Sequence, residues 1–311
     1  MIETSIIIPV RNQKDSLLMA LDSLKRQIKK KRLFEIIVCD DGSTDGTGEA
    51  VRKLRLPIFL KYIKNDPPLG RAGNRNLGFK KSVGKHLIFF DGDMVPASGF
   101  IEALLDAGDS NIVRVGSVQL PPKQPPGRLE KYLYSRGRLK ATAGNSLSGR
   151  YFTSNNFYIS RDNFIRIGGF DDAFKGWGGE DIDFGLALES QEIPIKHEPQ
   201  AVTYHYHRRT VQSIAADFYA FGAGSFAHLL KKQPHFLNQI PARRLGLAKG
   251  LSPVNVAFNL LSVIMISRPV LRLAEILVSG WQGFFWPDFA YDYIFWGNLA
   301  LGYKQRPRER N

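Results

Sequence analysis

Residues 86–93 read HLIFFDGD, an apolar run followed by two carboxylates one residue apart. The stretch His86–Asp91 predicts a buried β-strand, because apolar residues fill it and a glycine turn follows it. Three more runs of this kind also predict strands: Thr4–Val10, Phe34–Asp40 and Ile58–Ile63. Apolar residues at helical spacing predict helices between them: Asp15–Gln27, Gly46–Lys53 and Gly70–Ser82. This alternation predicts an α/β fold with a mostly parallel central sheet covered on both faces.

Polar residues follow three of these strands: Arg11-Asn12, Asp40-Asp41 and Asp91-Gly92-Asp93. In an open α/β sheet, ligands bind beyond the carboxyl ends of the strands. We therefore expect these side chains to converge on one crevice.

The chain is strongly basic, and the excess charge is concentrated in its most apolar part. The 311 residues carry a net charge of +14, and residues 201–311 hold 13 Lys/Arg against 5 Asp/Glu. Basic and apolar character together favour an anionic membrane surface as a partner over nucleic acid. A solvated basic surface without a partner stays an alternative.

Composition also bears on folding and compartment. With 43% hydrophobic residues the chain can bury a core, so global disorder is excluded. The single cysteine, Cys39, excludes an internal disulfide and is compatible with a reducing compartment. The first apolar stretch, which ends at Val10, is too short for a signal sequence. We therefore expect a cytoplasmic protein.

The chain after residue 120 changes character twice. Residues 121–127 are rich in proline and predict an extended connection, followed by a helix over residues 128–140 and a strand at Phe152–Ile159. A further helix is predicted from Glu180 to Ser190, and the pattern is mainly helical from Thr210 onward.

Three apolar segments occupy the C-terminal part: Val254–Ser267, Val270–Trp286 and Phe289–Tyr303. None reaches the roughly 18–20 uninterrupted apolar residues that a spanning helix needs, so buried, re-entrant or interfacial helices are expected. Their aromatic residues suit a headgroup boundary, a core or a subunit interface: Trp281, Trp286, Tyr291, Tyr293, Trp296 and Tyr303.

Two carboxylate turns are candidates for a donor site. Asp91 and Asp93, after a buried strand, can share a divalent cation and its bound diphosphate, although Asp-x-Asp is also common in ordinary turns. Asp40 can accept a hydrogen bond from a nucleobase or ribose, and Ser43 or Thr44 can cap the next helix. The alternative there is a plain Asx-type turn with its N-cap.

The segment from Gly70 to Asn76 opens a predicted helix with glycines and arginines. A helix N-terminus with an arginine is an anion site, and a loop with solvated arginines is the alternative. The segment matches neither the phosphate-binding loop nor the dinucleotide-binding motif.

The segment from Gly168 to Asp183 is the most informative of the candidates. A glycine-rich loop carries Trp177 and ends in Glu180 and Asp181, which begin a helix. The helix dipole favours ionised carboxylates there, as a general base requires, and the loop can close over a donor. Acidic N-capping explains one of the carboxylates but not a tryptophan between glycines.

His205 and His207 offer a third type of ligand. A neutral imidazole can complete a carboxylate site for manganese, and in an extended segment both rings point the same way. Such a pair can equally be structural or solvated.

Taken together, these segments resemble the family 2 nucleotide-diphospho-sugar transferases of the GT-A (Rossmann-like) fold. The motifs occur in the family's order: residues 7–12, Asp40–Ser43, Arg75-Asn76, and Asp91-Gly92-Asp93. The loop of residues 176–181, GWGGED, resembles galactosyltransferases, N-acetylgalactosaminyltransferases and bacterial chondroitin-type polymerases. The resemblance covers about residues 4–207.

The resemblance implies a role for each matching residue. Those implied to bind the donor are Pro9, Arg11, Asn12, Asp40, Arg71, Asn74, Asp91, Gly92 and Trp177. It implies that Asp93 holds a metal, Mn²⁺ or Mg²⁺, with His205 as the distal ligand and His207 as the alternative. It further implies that Asp181 deprotonates the acceptor hydroxyl while Glu180 orients the acceptor.

The implied function is inverting transfer of a hexose or N-acetylhexosamine from a UDP-sugar to a glycan or lipid-linked acceptor, at the inner face of the membrane. The expected domains are residues 1–209 and a helical extension over 210–311, for which we expect membrane association. In the first domain, residues 1–120 are expected to bind the donor and residues 121–209 the acceptor.

A sugar nucleotidyltransferase is less consistent with the sequence, because Val10–Ser16 lacks the glycines of the phosphate loop of that class. A nucleic-acid-binding protein would place aromatics among arginines, and here they lie in apolar runs.

Overall fold

Strand β1 alternates its side chains between two cores, and the rest of the sheet is built around it. Ile6, Ile8 and Val10 point into one buried cluster, whereas Ile7 points into another. This period of two is that of a strand buried on both faces. The computed structural model describes residues 1–29, 33–105, 110–135, 146–247, 252–280 and 286–306.

The described residues form one sheet with the order β3-β2-β1-β4-β7-β6-β8-β5. Its first four strands are parallel, and β7 runs antiparallel to both β4 and β6. β8 pairs parallel with β6 and antiparallel with β5. The strands are β1 (Thr4–Val10), β2 (Phe34–Asp40), β3 (Phe59–Lys64), β4 (His86–Phe90), β5 (Met94–Pro96), β6 (Val113–Gln119), β7 (Asn156–Ser160) and β8 (Ile195–His205).

The helices also follow the predicted pattern in its main features. They are α1 (Lys14–Gln27), α2 (Thr47–Lys53), α3 (Gly70–Lys81), α4 (Phe100–Leu105), α5 (Arg128–Ser135), α6 (Arg161–Arg166), α7 (Glu180–Ser190), α8 (Val211–Ala223), α9 (Phe226–Lys232), α10 (Pro253–Met265), α11 (Arg268–Gly280) and α12 (Asp288–Gln305). The helix predicted over 128–140 is described only to Ser135, and the rest of it lies outside the described residues.

The chain divides into two units. The first comprises residues 1–125, 134–173 and 180–208, and the second comprises 126–133, 174–179 and 209–311. The first unit contains the sheet. In the second, α8 and α12 pack on each other, with Ile214, Ile294 and Phe295 in the buried cluster. The predicted domain division at residues 209 and 210 stays a prediction, although two short stretches before it pack within the second unit.

The C-terminal apolar segments form α10, α11 and α12. Among the described residues, no helix combines the length and the hydropathy that crossing a bilayer requires. Trp281, one of the six aromatic residues expected at a headgroup boundary, lies outside the described residues.

Candidate active site

The loops after β1, β2 and β4 lie together at one edge of the sheet. Val10 pairs in register with Asp40, and Ile7 pairs with Phe89. Two loop amides then donate to β1: Asp41 N to Val10 O at 2.9 Å, and Gly92 N to Pro9 O at 3.1 Å. The polar residues that the sequence places after these strands therefore come together.

Gly92 is closely packed, which accounts for a glycine between the two aspartates. A Cβ atom at this position would lie 3.0 Å from Val10 Cγ2 and 2.8 Å from Gln13 Oε1. The carbonyl of Gly92 accepts from Ser16 Oγ at 2.8 Å. The glycine thus lets the loop pack against β1 and the start of α1.

Arg75 joins the two acidic stretches of the site. Its side chain is 4% exposed, and Nη2 donates to Asp91 Oδ1 at 2.7 Å. Nη1 lies 3.9 Å from Glu180 Oε1, and the guanidinium lies over the ring of Phe170. Asp91 and Glu180, one from each acidic stretch, therefore meet around one buried cation of the protein itself.

A short segment before β7 also connects these stretches. β7 is antiparallel to β4, and Phe90 pairs with Asn156, so Ser154 and Asn155 lie beside the loop after β4. Asp91 N donates to Asn155 O at 3.1 Å, and Ser154 N donates to Asp181 Oδ2 at 3.1 Å. The other oxygen, Asp181 Oδ1, is buried and has no hydrogen-bond partner among the described residues.

Burial and mutual repulsion set the charge of the carboxylates. Burial, together with the charge of Asp181, raises the pKa of Glu180 to about 7 despite the nearby Arg75. Burial also raises the pKa of Asp91, although Arg75 acts against it. Burial alone would lower the pKa of Arg75, but the charges of Asp91, Asp181 and Glu180 outweigh it and keep the guanidinium protonated. The site therefore holds one fixed positive charge, and Glu180 exchanges its proton near neutrality.

Asp93 faces His205 across the β5–β8 pairing. Met94 pairs with His205, which brings His205 Nε2 to 3.5 Å from Asp93 Oδ2. The hydroxyl of Tyr134 lies 3.3 Å from His205 Nδ1. Burial acts to raise the pKa of Asp93, but the hydrogen bond and charge of His205 outweigh it, and the pKa is lowered.

The donor set at Asp93 fits a divalent cation in part. Asp93 Oδ1 is buried without a hydrogen-bond partner among the described residues, and an imidazole faces the same carboxylate. His207 is exposed, and its ring centroid lies 6.3 Å from that of His205. Within the described ranges, no three His, Cys, Asp or Glu side chains converge on one point. A cation here would need further oxygens from a ligand.

The predicted nucleoside contacts differ in accessibility. Asp40 is fully buried; its carboxylate accepts from Ser43 N at 2.7 Å and from Tyr62 Oη at 2.5 Å. Asn12, at φ 54°, accepts from Thr44 N through Oδ1 at 2.8 Å. Arg11 is exposed, and Pro9 is half-buried within β1. The carboxylate of Asp40 thus binds the amide three residues further on in the turn after β2, and the donor contacts of all four residues stay predictions.

The predicted capping of α2 is wrong. The residue that precedes this helix is Gly46, in the left-handed conformation, and it makes no side-chain cap. Ser43 Oγ instead accepts from Asn12 N at 2.8 Å, and Asp45 Oδ1 accepts from Thr47 N at 3.0 Å. Ser43 is therefore used to join the loops after β1 and β2.

A carboxylate of the protein itself lies at the start of α3. Asp41 is 6% exposed, and its carboxylate accepts from Leu69 N at 2.7 Å and from Gly70 N at 3.0 Å. Asp41 thus binds the amide of the residue before the helix and that of its first residue, and the expected anion site stays a prediction. Asn74 is buried and bonds Cys39 O and Asn65, whereas Arg71 is exposed. Donor contacts of Arg71 and Asn74 stay predictions.

Trp177 belongs to the second unit. Its ring packs on Phe218 and Phe221, and Gly178 O accepts from Ser225 Oγ at 2.6 Å. Gly178 and Gly179 have positive φ and lie against the ring of Phe221, so side chains there would be strained and would clash. The predicted donor contact of Trp177 stays a prediction.

Two residues at this edge were not among the predicted site residues. Arg75 was quoted only as part of a motif, and Asp41 only as part of a turn. Arg75 could have been found from the sequence, because it lies in a predicted helix between two glycines, Gly73 and Gly78. Small residues on both sides of an arginine indicate a helix face that packs closely. Asp41 could not have been found in this way, because the side chains of its turn are all polar and none of them stands out.

Comparison with known proteins identifies the family of the chain. The model of glycosyl transferase family 2 matches residues 5–170, which is more than half of the chain. The chain belongs to this family. The model described as the N-terminal domain of galactosyltransferase matches residues 141–210, a range that contains the loop before α7. The predicted family membership is therefore confirmed.

Among curated relatives, validoxylamine A glucosyltransferase of Streptomyces hygroscopicus subsp. limoneus is 28% identical over 220 residues. The match covers 61% of this chain and 49% of that relative. The chain thus spans about half the length of the curated relative it matches.

Solved structures confirm the GT-A fold. The mannosyltransferase PcManGT from Pyrobaculum calidifontis, in complex with GDP-Man and Mn²⁺, gives a TM-score of 0.62 at 18% identity and covers 98% of this chain and 88% of its own. S. aureus TarS 1–349 in complex with UDP-GlcNAc gives a TM-score of 0.56 at 17% identity, with 99% and 93% covered.

Proposed function

We propose that this family 2 protein is an inverting, metal-dependent glycosyltransferase. It moves a hexose or N-acetylhexosamine from a UDP-sugar to a hydroxyl of a glycan or lipid-linked acceptor, in the synthesis of a cell-surface polysaccharide or glycolipid. The observation that carries the proposal is the meeting of Asp91 with Glu180 and Asp181 around Arg75. In such an enzyme, the loop that binds the donor has to lie beside the helix start that activates the acceptor. Here both lie against the guanidinium of Arg75.

Asp181 serves as the general base in this proposal. One of its oxygens is held by Ser154 N, and the other is buried without a partner among the described residues. That oxygen takes the proton of the acceptor hydroxyl as the new bond to the anomeric carbon forms. The bond from that carbon to the diphosphate breaks on the opposite face, which inverts the configuration.

Glu180 orients the acceptor. With a pKa of about 7 it is protonated in part of the molecules at neutrality, and it can then donate a hydrogen bond to an acceptor oxygen. Arg75 keeps Asp91 and Glu180 in place. A divalent cation held by Asp93 and His205, when bound, would offset the charge that develops on the leaving diphosphate.

The donor is proposed from the neighbours as well as from the site. The two solved structures named above were obtained with GDP-Man and with UDP-GlcNAc, which supports a nucleotide-sugar donor. UDP is our choice of nucleotide, because of the resemblance of residues 176–181 to the galactosyltransferase loop. The acceptor and its place at a membrane are proposals for the whole protein.

A donor panel tests the proposal. Purified protein is incubated with UDP-sugars and GDP-mannose, with Mn²⁺, Mg²⁺ or chelator, and nucleotide diphosphate release is measured. We expect release from at least one UDP-sugar that chelator abolishes.

Asp181→Asn should bind UDP but lose transfer by about 100-fold or more, the usual contribution of a general base. Asp162→Asn is the matched control, because Asp162 lies in the first turn of α6 as Asp181 lies in the first turn of α7. Transfer at the wild-type rate by Asp181→Asn would remove this residue from the base role.

A further inference from the structure

The outward face of α10 in the second unit is apolar. Val263 is 70% exposed, Leu260 67% and Ile264 66%. Other residues of the same helix are also exposed and apolar: Val254, Val256, Ala257, Leu261 and Met265. Isolated exposed apolar residues are ordinary, but a contiguous face of them on one helix marks an interaction surface.

The inward face of α10 carries the polar residues of the helix. Asn255, Asn259 and Ser262 lie at helical spacing and are half-buried or buried, with Ser262 2% exposed. Ser262 Oγ accepts from Lys304 Nζ at 2.8 Å and donates to Asn259 O at 2.7 Å. A helix on a water-facing surface has the opposite arrangement, with its polar residues outward. The polar contacts of α10 thus lie on its inner side, and its outer side offers apolar side chains.

Helix α11, which contacts α10, also has exposed apolar residues. Leu273 and Ile276 are each 57% exposed, and Leu277 is 42% exposed. Its inner residues, Leu271 and Val278, are buried. We call the exposed apolar residues of α10 and α11 the apolar face.

Basic residues adjoin the apolar face. Arg268 and Arg272, both on α11, are exposed. Leu245 packs in one cluster with Ile266 and Leu271, which places the exposed Arg243 and Arg244 close to the turn between α10 and α11. This turn is thus rich in positive charge that faces solvent.

We propose that the apolar face docks on a lipid membrane with anionic headgroups, with α10 and α11 lying in the plane of the interface. Each helix has 13 residues, which is about 20 Å at 1.5 Å per residue and short of a hydrocarbon core of about 30 Å. Apolar side chains enter the acyl boundary, and the arginines bind headgroups.

The charge distribution favours lipid over a second copy of this chain as the occupant. In a symmetric dimer the arginines at the turn would face the arginines of the partner or its apolar residues, and both arrangements are unfavourable. Anionic headgroups supply counter-charges at the depth where interfacial arginines lie. The proposal does not depend on the proposed catalytic function.

Sedimentation with vesicles tests the proposal on the full chain. The vesicles contain phosphatidylcholine alone or phosphatidylcholine with phosphatidylglycerol. We expect the wild type to sediment with the anionic vesicles and to be released in part by high salt. The variant Leu260→Gln/Val263→Gln/Ile264→Gln should partition about tenfold less or weaker still, because each substitution removes an inserted apolar side chain. Its circular dichroism should be unchanged, because all three side chains are exposed.

The variant Val83→Gln/Ile165→Gln is the matched control. These residues of the first unit are 62% and 58% exposed, and their substitution should leave vesicle binding unchanged. The variant Arg243→Gln/Arg272→Gln should lose the preference for anionic vesicles. The proposal is overturned if the wild type stays in solution with both kinds of vesicle, or if the triple variant binds as the wild type does. A lipid-independent wild-type dimer that the triple variant converts to monomer, without vesicle binding, would assign the face to a second copy.

Discussion

At the scale of single residues, Arg75 is the centre of the site. It is a buried arginine whose neighbours are three carboxylates, Asp91, Glu180 and Asp181. Removing one partner of a buried ion pair leaves charges without compensation, which costs more than the pair contributes when intact. Arg75 therefore couples the stability of the fold to the geometry of the site.

Arg75→Met should lower the free energy of unfolding by about 3–5 kcal/mol, because the carboxylates then repel each other in a buried position. Urea denaturation measures this loss. Arg75→Lys should retain part of the stability, since it keeps the charge but loses the planar guanidinium that lies over Phe170. A methionine variant as stable as the wild type would show that the carboxylates are not held by this arginine.

The titration of Glu180 gives a prediction for stability against pH. The pKa of Glu180 is about 7 in the folded chain and 4.5 as the ordinary value. Between these values the unfolded chain loses the proton while the folded chain keeps it, so this residue makes stability fall as pH rises. The titration of Glu180 lowers the free energy of unfolding by about 3 kcal/mol at most between the two pKa values.

Glu180→Gln should therefore gain stability relative to the wild type between about pH 5 and pH 8, because glutamine does not titrate. Unfolding at a series of pH values without divalent metal measures the difference. The control is Glu3→Gln at an exposed position, which should follow the wild type. A constant difference between Glu180→Gln and the wild type across this range would contradict the assignment.

At the scale of elements, the sequence predicted the strands better than the loops. β1 and β2 have the predicted bounds, and α7 begins and ends where expected. These elements have uninterrupted apolar patterns that allow one interpretation. β7 begins at Asn156 instead of Phe152, because residues 152–155 form the connection that contacts Asp91 and Asp181. Such contacts come from other parts of the chain and leave no local pattern.

The start of α3 depends on Asp41, a residue of another loop. Asp41→Ala should destabilise the protein by about 1–2 kcal/mol, since two helix amides lose their acceptor. Thr44→Ala is the control: the sequence suggested Thr44 as a cap of α2, and the structure shows no such cap. Equal losses of stability in the two variants, measured by urea denaturation, would contradict the capping by Asp41.

The contact between α8 and α12 depends on glycines. A Cβ atom at Gly302 would lie 2.2 Å from Tyr219 O, and one at Gly222 would lie 2.0 Å from Leu299 O. Gly302→Ala should therefore cost about 1–3 kcal/mol, because two helix backbones have to separate. Gly280→Ala is the control, since a Cβ atom there meets nothing within 4 Å. Thermal unfolding of the two variants measures the difference.

At the scale of the whole molecule, the fold class and the family were predictable from the sequence, and the roles of individual residues were not. The ordered motifs were enough for the family, because their combination is specific even where each motif is weak. The convergence of strand-end residues followed from the parallel topology. The bridging role of Arg75 and the binding of the start of α3 by Asp41 did not follow, because pairing between distant parts of the chain is decided by tertiary packing.

The sequence likewise did not predict that the polar residues of α10 face inward and its apolar residues outward. Its apolar segment was predicted as buried, re-entrant or interfacial, and composition alone could not separate these. Only the packing of Ser262 against Lys304 shows which face of the helix is inward. The prediction that the protein works in the cytoplasm, on the inner face of the membrane, stays a prediction.

We infer that Asp91–Asp93 and Glu180–Asp181 form one binding site for a cation-bound sugar nucleotide. Calorimetric titration of UDP into the protein, with and without Mn²⁺, measures this binding. We predict binding that requires Mn²⁺, is weakened about tenfold or more by Asp93→Asn, and is kept by Asp162→Asn. Equal UDP affinity in Mn²⁺ and in chelator, unchanged by Asp93→Asn, would rule out this site.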